Sequence, residues 1–220
     1  MTSVAATQTS TVSPPTWERR TVDVVAILVG LSVLLACGLI ARSGEVGPLE
    51  ARAFHVVNGL PETLTPLMRG AQYLGVLVVG PIVALGALVL RRYRLALAAL
   101  IVTAAKLASE RVVWTFVVRS RPGTSIADTF VRGGTPTSGQ SFVSGHVVLV
   151  TGLAWVITPY LHGRWRFVPG AIAALVAFAR LYLGAHAPLD VLGGAALGAA
   201  IGGAANLVVG VPTPPPSHAQ

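Results

Sequence analysis

Charge is the scarcest ingredient of this chain: of 220 residues only 11% are Asp, Glu, Lys or Arg, against about 25% in soluble domains. That composition excludes an ordinary water-facing globular surface. Cysteine is nearly absent too, and with Cys37 as the sole example an intramolecular disulfide and any cysteine-rich metal site are excluded. Acidic residues number 8 against 16 basic ones, a net charge of +8. In a soluble protein that excess would suggest nucleic acid. Here the arginines cluster in connections and at the ends of apolar runs, so they set membrane orientation and no nucleic-acid partner is expected.

What the chain has in place of charge is 53% hydrophobic residues, gathered into six runs. These are Val24 to Ile40, Ala71 to Leu90, Leu95 to Val118, Phe142 to Leu161, Phe167 to Leu183 and Leu189 to Val211, each near the roughly 17 to 25 residues that cross a bilayer. In lipid every backbone polar group needs a partner, which leaves helices as the economical solution. The sequence therefore predicts an all-α integral membrane bundle of six transmembrane helices, one domain over residues 17–211, with the bilayer as its main partner. Residues 1–16, rich in Ser, Thr and Pro, and residues 212–220, with four prolines, are expected to be disordered tails.

Three local features refine this picture. Arg19-Arg20 before an apolar stretch ending Leu34-Leu35-Ala36-Cys37 loosely resembles a lipoprotein signal, but the stretch is long enough to span and is read as a permanent anchor. After it, Pro48 opens a helical pattern of Leu49, Ala53, Val56, Val57 and Leu60 that Pro61 stops, which predicts a short helix on the membrane surface. In the last run Gly194, Gly198 and Gly202 repeat every four residues, a spacing that lets membrane helices approach closely. Packing within the chain is the expectation, and no oligomeric state is predicted.

Six crossings alternate their ends, so the third run must end, the fourth begin and the fifth end on one side. That side receives Arg119, Arg121, Ser144, His146, Arg180, His186 and Asp190. The opposite side carries Arg19-Arg20, Arg91-Arg92-Tyr93-Arg94 and Arg164-Trp165-Arg166, which by the positive-inside bias is cytoplasmic. The polar cluster then faces outward from the plasma membrane.

Its composition suggests a missing anion. Arg121, Arg180, His146 and His186 gather around one nearby carboxylate, Asp190. Arginine is the usual bidentate partner of phosphate, and the helix start after Ser144-Gly145 offers backbone N–H groups to the same ligand. Four residues separate His186 from Asp190, so the carboxylate can hold one imidazole nitrogen and leave the other free to attack. His146 can protonate a leaving oxygen. Lys106 and Glu110, also four apart, read as a pair that neutralises itself deep in the membrane, away from this cluster, and Arg111 receives no role.

The same residues resemble the type 2 phosphatidic acid phosphatase superfamily. Arg180, His186 and Asp190 keep the spacing of its third motif, with Ala179 in place of serine, and Val143-Ser144-Gly145-His146 matches the second, with valine in place of proline. The first motif survives as Arg121-Pro122, but Trp114 stands where the family has lysine. The resemblance runs from about Leu49 to Val211. It implies a metal-independent lipid phosphatase without a cofactor, in which His186 becomes a phosphohistidine, Asp190 orients it and His146 is the general acid. Arg121, Arg180, Ser144 and the Gly145 backbone would hold the phosphate. The implied substrate is a lipid phosphate: a polyprenyl phosphate or diphosphate, phosphatidic acid or phosphatidylglycerol phosphate. A lipid phosphotransferase, or an inactive or transport-type relative, is the alternative.

Trp114 either anchors its helix at the membrane interface or leaves the pocket short of one positive charge. Lys106 is fifteen residues from Arg121, roughly 22 Å along a continuous helix, too far to replace it, which leaves Arg119 or Arg132 as the available substitutes. Orientation is directly testable. In a Cys37→Ser background, Thr137→Cys is expected to react with an impermeant thiol reagent on intact cells and Gly163→Cys to stay unlabelled; the opposite pattern would invert the topology.

Overall fold

The computed structural model describes residues 16–213. The tails expected at 1–16 and 212–220 lie outside that range except for Thr16, Pro212 and Thr213. These three join a two-residue antiparallel ladder between β1 (Trp17–Glu18) and β2 (Val211–Pro212) that brings the two ends of the described chain together.

The rest is helical: α1 (Thr21–Ala41), α2 (Pro48–Asn58), α3 (Thr65–Gln72), α4 (Val79–Val89), α5 (Tyr93–Phe116), α6 (Pro122–Ser125), α7 (Gly145–Ile157), α8 (Val168–Tyr182) and α9 (Pro188–Val209). Among the described residues three helical stretches are long and apolar enough to cross a membrane, Thr21–Ala41, Gly163–Tyr182 and Pro188–Val209. The bent pair Glu62–Gly75 and Val79–Val89 makes a fourth if taken as one span. Of the two other expected crossings, α5 has the length, 24 residues, but carries Lys106, Glu110 and Arg111. The other is a shorter apolar stretch, Gly145–Tyr160.

The second expected run is not one straight helix. It starts in the last residues of the Glu62–Gly75 stretch, which meets Val79–Val89 at 64° and ends in a 3-10 turn over Tyr73–Gly75. A Cβ on Gly75 would lie 2.8 Å from the Cβ of His146, so the break brings backbone against the start of α7. The short helix expected after Pro48 is present as α2, with Pro48 in its first turn and its exposed face carrying Leu49 and Val56.

The small-residue helix α9 is the hub, packing on α1, α7 and α5. Its glycines permit this. A Cβ at Gly198 would sit 2.5 Å from the Val148 carbonyl oxygen and one at Gly194 2.8 Å from the Ser144 carbonyl oxygen, so the glycine stripe packs against α7 within the chain. On the other side, α1 turns leucines and valines such as Leu28 and Leu35 outward, the pattern of a helix whose solvent is lipid.

At the basic end a buried carboxylate ties three helices together. Asp23 on α1 accepts hydrogen bonds from Arg20 at 2.9 Å, Trp155 Nε1 at 2.8 Å and Asn206 Nδ2 at 3.0 Å. Arg19 and Arg94 donate to carbonyls at the end of α9, and Arg92 to that of Tyr160. The basic segments expected on one side thus do share one end of the bundle.

Close backbone approach makes α9 sensitive to single methyl groups. Gly198→Ala is expected to cost about 1 to 3 kcal/mol, the usual effect of overpacking, and to lower the thermal midpoint in detergent. Gly170→Ala, whose Cβ would meet nothing within 4 Å, should leave the midpoint unchanged or raise it slightly. Equal midpoints for the two variants would show that the α7–α9 contact tolerates separation.

Candidate active site

The site begins where α5 stops. The helix ends at Phe116 and the next residue, Val117, is extended with φ −128°, so Arg121 is carried away from the helix axis. Its Nε donates to the Ser138 carbonyl and its Nη1 to the Ala185 carbonyl, both at 3.1 Å. Arg119 turns inward instead and is fully buried. Its Nη1 donates to Asp190 Oδ1 at 2.9 Å and to Glu50 Oε1 at 3.0 Å, while Nη2 reaches Glu50 Oε2. Burial opposes its charge, but the two carboxylates outweigh that and raise its pKa.

His186 sits in the turn between α8 and α9. Gly184 opens this turn with φ +72°, and a Cβ there would lie 2.8 Å from the Phe130 carbonyl oxygen, which makes glycine the fitting residue. The His186 Nδ1 lies 2.9 Å from the Ser141 carbonyl oxygen. A carbonyl can only accept, so Nδ1 carries the proton and Nε2 keeps a free lone pair. The ring is 3% exposed. Burial pushes its pKa down to about 4, with Arg180 and Arg121 adding to that and Asp190 opposing it.

Asp190 does not hold this imidazole as directly as its spacing suggests, because its Oδ2 is 3.8 Å from Nδ1. That oxygen is taken by the Ser141 hydroxyl at 2.5 Å and the Ala187 N–H at 2.7 Å. The carboxylate therefore organises the two segments that grip the ring, and the Ser141 carbonyl makes the contact. Ser141 and Glu50 were not legible as site residues, since neither belongs to a spaced motif and both meet Asp190 only through the fold.

Arg121, His146, Arg180 and His186 line one cavity of about 440 Å³. Arg180 is 5% exposed. Its Nη1 donates to Gln72 on α3, while its Nε has no partner among the described residues. Gly145 also lines the cavity. Ser144 departs from expectation: it is completely buried, its Oγ has no partner among the described residues, and it is not part of the cavity wall. Its backbone N–H instead donates to the Asp190 carbonyl at 3.0 Å.

A second correction concerns α5. Lys106 and Glu110 do pair, at 2.8 Å, but they are not remote from the cluster, because both line the same cavity together with Trp114. Distance along a helix was the wrong measure, as the chain leaves the helix before Arg121 and folds back. Arg119 and Arg132 are committed elsewhere, Arg132 to the carbonyls of Asn58, Tyr182 and Leu60. Among the described residues no three His, Cys, Asp or Glu side chains gather as a metal-binding group.

The sequence profile of the PAP2 superfamily matches residues 88–212, more than half of the chain and all of these cavity cations. The chain belongs to the PAP2 superfamily. Its fold is similar to the crystal structure of Aquifex aeolicus LpxE, with TM-score 0.63 and 22% identity over 73% of this chain and 96% of that one. It is also similar to the first transmembrane PAP2-type phosphatidylglycerolphosphate phosphatase from Bacillus subtilis, with TM-score 0.62 and 25% identity over 81% of this chain and 94% of that one. No curated protein matches it in sequence. Within this PAP2 fold the third-motif residues Arg180 and His186 converge on the cavity, and Asp190 braces the segments that hold His186.

The protonation state can be checked directly. In detergent micelles, the imidazole 15N resonances of His186 are expected to remain those of a neutral ring protonated on Nδ1 down to a midpoint near pH 4. A midpoint near 6.5, the ordinary value, would mean that the ring is open to water.

Proposed function

We propose that this chain is an integral membrane phosphatase that removes the terminal phosphate of an anionic lipid through a phosphohistidine at His186. The observation that carries the reading is the buried Arg180 guanidinium. Among the described residues its Nε has no partner, and it reaches the cavity beside Arg121 and an imidazole whose Nε2 keeps its lone pair. A buried cation without a full set of acceptors calls for an anion, and planar guanidinium groups suit phosphate oxygens.

In the proposed route Nε2 of His186 attacks phosphorus, the P–O bond to the lipid breaks, and His146 delivers a proton to the departing alkoxide. Water then attacks the phosphohistidine with His146 taking its proton, which releases inorganic phosphate and restores neutral His186. Asp190 acts through Ser141 and Ala187 to keep the ring aligned. Arginine side chains meet the phosphate charge, so the route calls for no metal ion.

The membrane setting follows the same reading. The six crossings are α1, the bent α3–α4 pair, α5, α7, α8 and α9, with Lys106 and Glu110 of α5 turned to the cavity instead of lipid. Because the basic segments share the opposite end, the site faces the extracytoplasmic side of the plasma membrane. Likeness to a phosphatidylglycerolphosphate phosphatase supports a lipid phosphate substrate of the polyprenyl, phosphatidic acid or phosphatidylglycerol phosphate type.

The test is phosphate release from that panel in detergent with chelator present. Wild type should turn over at least one lipid, and His186→Ala should lose several powers of ten, as removal of a nucleophile does. Quenching wild type in alkaline detergent with labelled substrate should trap an acid-labile, base-stable phosphoprotein. More than about a tenth of wild-type turnover in His186→Ala would rule out the covalent route.

A further inference from the structure

Lys106, Glu110 and Trp114 stand at successive four-residue steps of α5 and present one face to the cavity. The ammonium and carboxylate are 2.8 Å apart, with side-chain exposures of 13% and 11%. A buried ion pair is weak evidence for stability, since apolar side chains of similar size often serve as well or better. Its position suggests another purpose. A Cβ on Gly145 would lie 1.7 Å from Glu110 Oε1 and 3.0 Å from Lys106 Cε, so the pair lies against the first residue of α7 and next to His146. The N–H groups of a helix start favour an anion, and Glu110 brings one there.

We propose that Lys106 is the third phosphate-binding cation of the cavity, and that Glu110 is the internal anion with which the phosphate competes for it. This rests on the reading that the cavity takes a phosphate. The other candidates for a third charge are occupied, Arg119 by Glu50 and Asp190 and Arg132 by backbone carbonyls. An ammonium has three donors, so Lys106 can turn from Glu110 to a phosphate oxygen without losing every contact. Apart from the histidines, Arg121, Arg180 and Lys106 against Glu110 leave the cavity at +2. That balances a terminal phosphate, which carries about −1.5 to −2 at pH 7, better than a singly charged diester. Glu110 weakens the hold on the product phosphate and so speeds its release, while Gly145 keeps the space the pair needs.

The experiment is calorimetric titration of the full chain in detergent micelles with inorganic phosphate, alongside lipid turnover. Lys106→Met is expected to weaken phosphate binding about tenfold. Glu110→Gln should tighten it severalfold and lower kcat as product release slows. The double variant Lys106→Met/Glu110→Gln should bind like Lys106→Met alone. A pair that serves only packing would behave otherwise, with both single variants shifting affinity the same way and the double variant returning to the wild-type value; that result would overturn the proposal. Thermal midpoints of all three variants identify any that fail to fold, and Lys106→Gln then replaces Lys106→Met. If wild type turns over lipid phosphate but Lys106→Met binds phosphate normally, only this inference falls. If phosphate binding depends on Lys106 while no lipid is hydrolysed, the hydrolase reading falls and the binding site stands. Failure of wild type to bind phosphate at all would overturn both.

Discussion

The carboxylate of Asp190 is the interaction on which the site depends. It is completely buried and accepts hydrogen bonds from Arg119, from the Ser141 hydroxyl and from the Ala187 backbone. A charge so far from water persists only if it is paired and hydrogen-bonded. Those requirements draw together the extended segment after α5, the start of α9 and, through Arg119 and Glu50, the surface helix α2. Glu50 extends the network by accepting the Leu189 N–H at 2.9 Å. The histidine is thus held by a web of contacts that no single helix could provide.

The bundle behind the site is held by a different device. With lipid on the outside there is no hydrophobic gain in burying one leucine face against another, so close packing has to come from small residues. α9 supplies these on two sides, with Gly194 and Gly198 against α7 and Gly203 against the Asp23 carbonyl of α1. A rigid α7–α9 contact also serves the chemistry, because His146 is the second residue of α7 and α9 begins just after the turn that carries His186. The break after α3 has a similar effect, since it places Gly75 on His146 and Gln72 on Arg180.

The electrostatics divide the cations by task. Arg119 and Arg132 are consumed by protein acceptors and keep the loop in shape. Arg121 and Arg180 reach the cavity, and Lys106 joins them from a helix face that carries only Glu110 as its counter-charge. Trp114 does not leave this side of the cavity without a positive charge, because an ammonium lies on the same face two turns deeper.

Much was determined by the sequence alone. Hydropathy and the scarcity of charge point to a helical membrane protein, and motif spacing groups Arg121, His146, Arg180 and His186, which the fold brings to one cavity. Glycines every four residues in α9 announce close packing because only the absence of a Cβ allows it. The tertiary structure decided what depends on distances between segments. Spacing of four residues put His186 beside Asp190, but only the fold interposes the Ser141 carbonyl, from 45 residues away in the chain. Ser144 belongs to a motif, yet it is buried and does not line the cavity. Lys106 is remote from Arg121 along a continuous helix, but α5 ends at Phe116, the chain folds back, and the lysine lines the same cavity. Local pattern is written in side-chain periodicity, whereas where a chain leaves a helix and what it then meets are set by packing against elements distant in sequence.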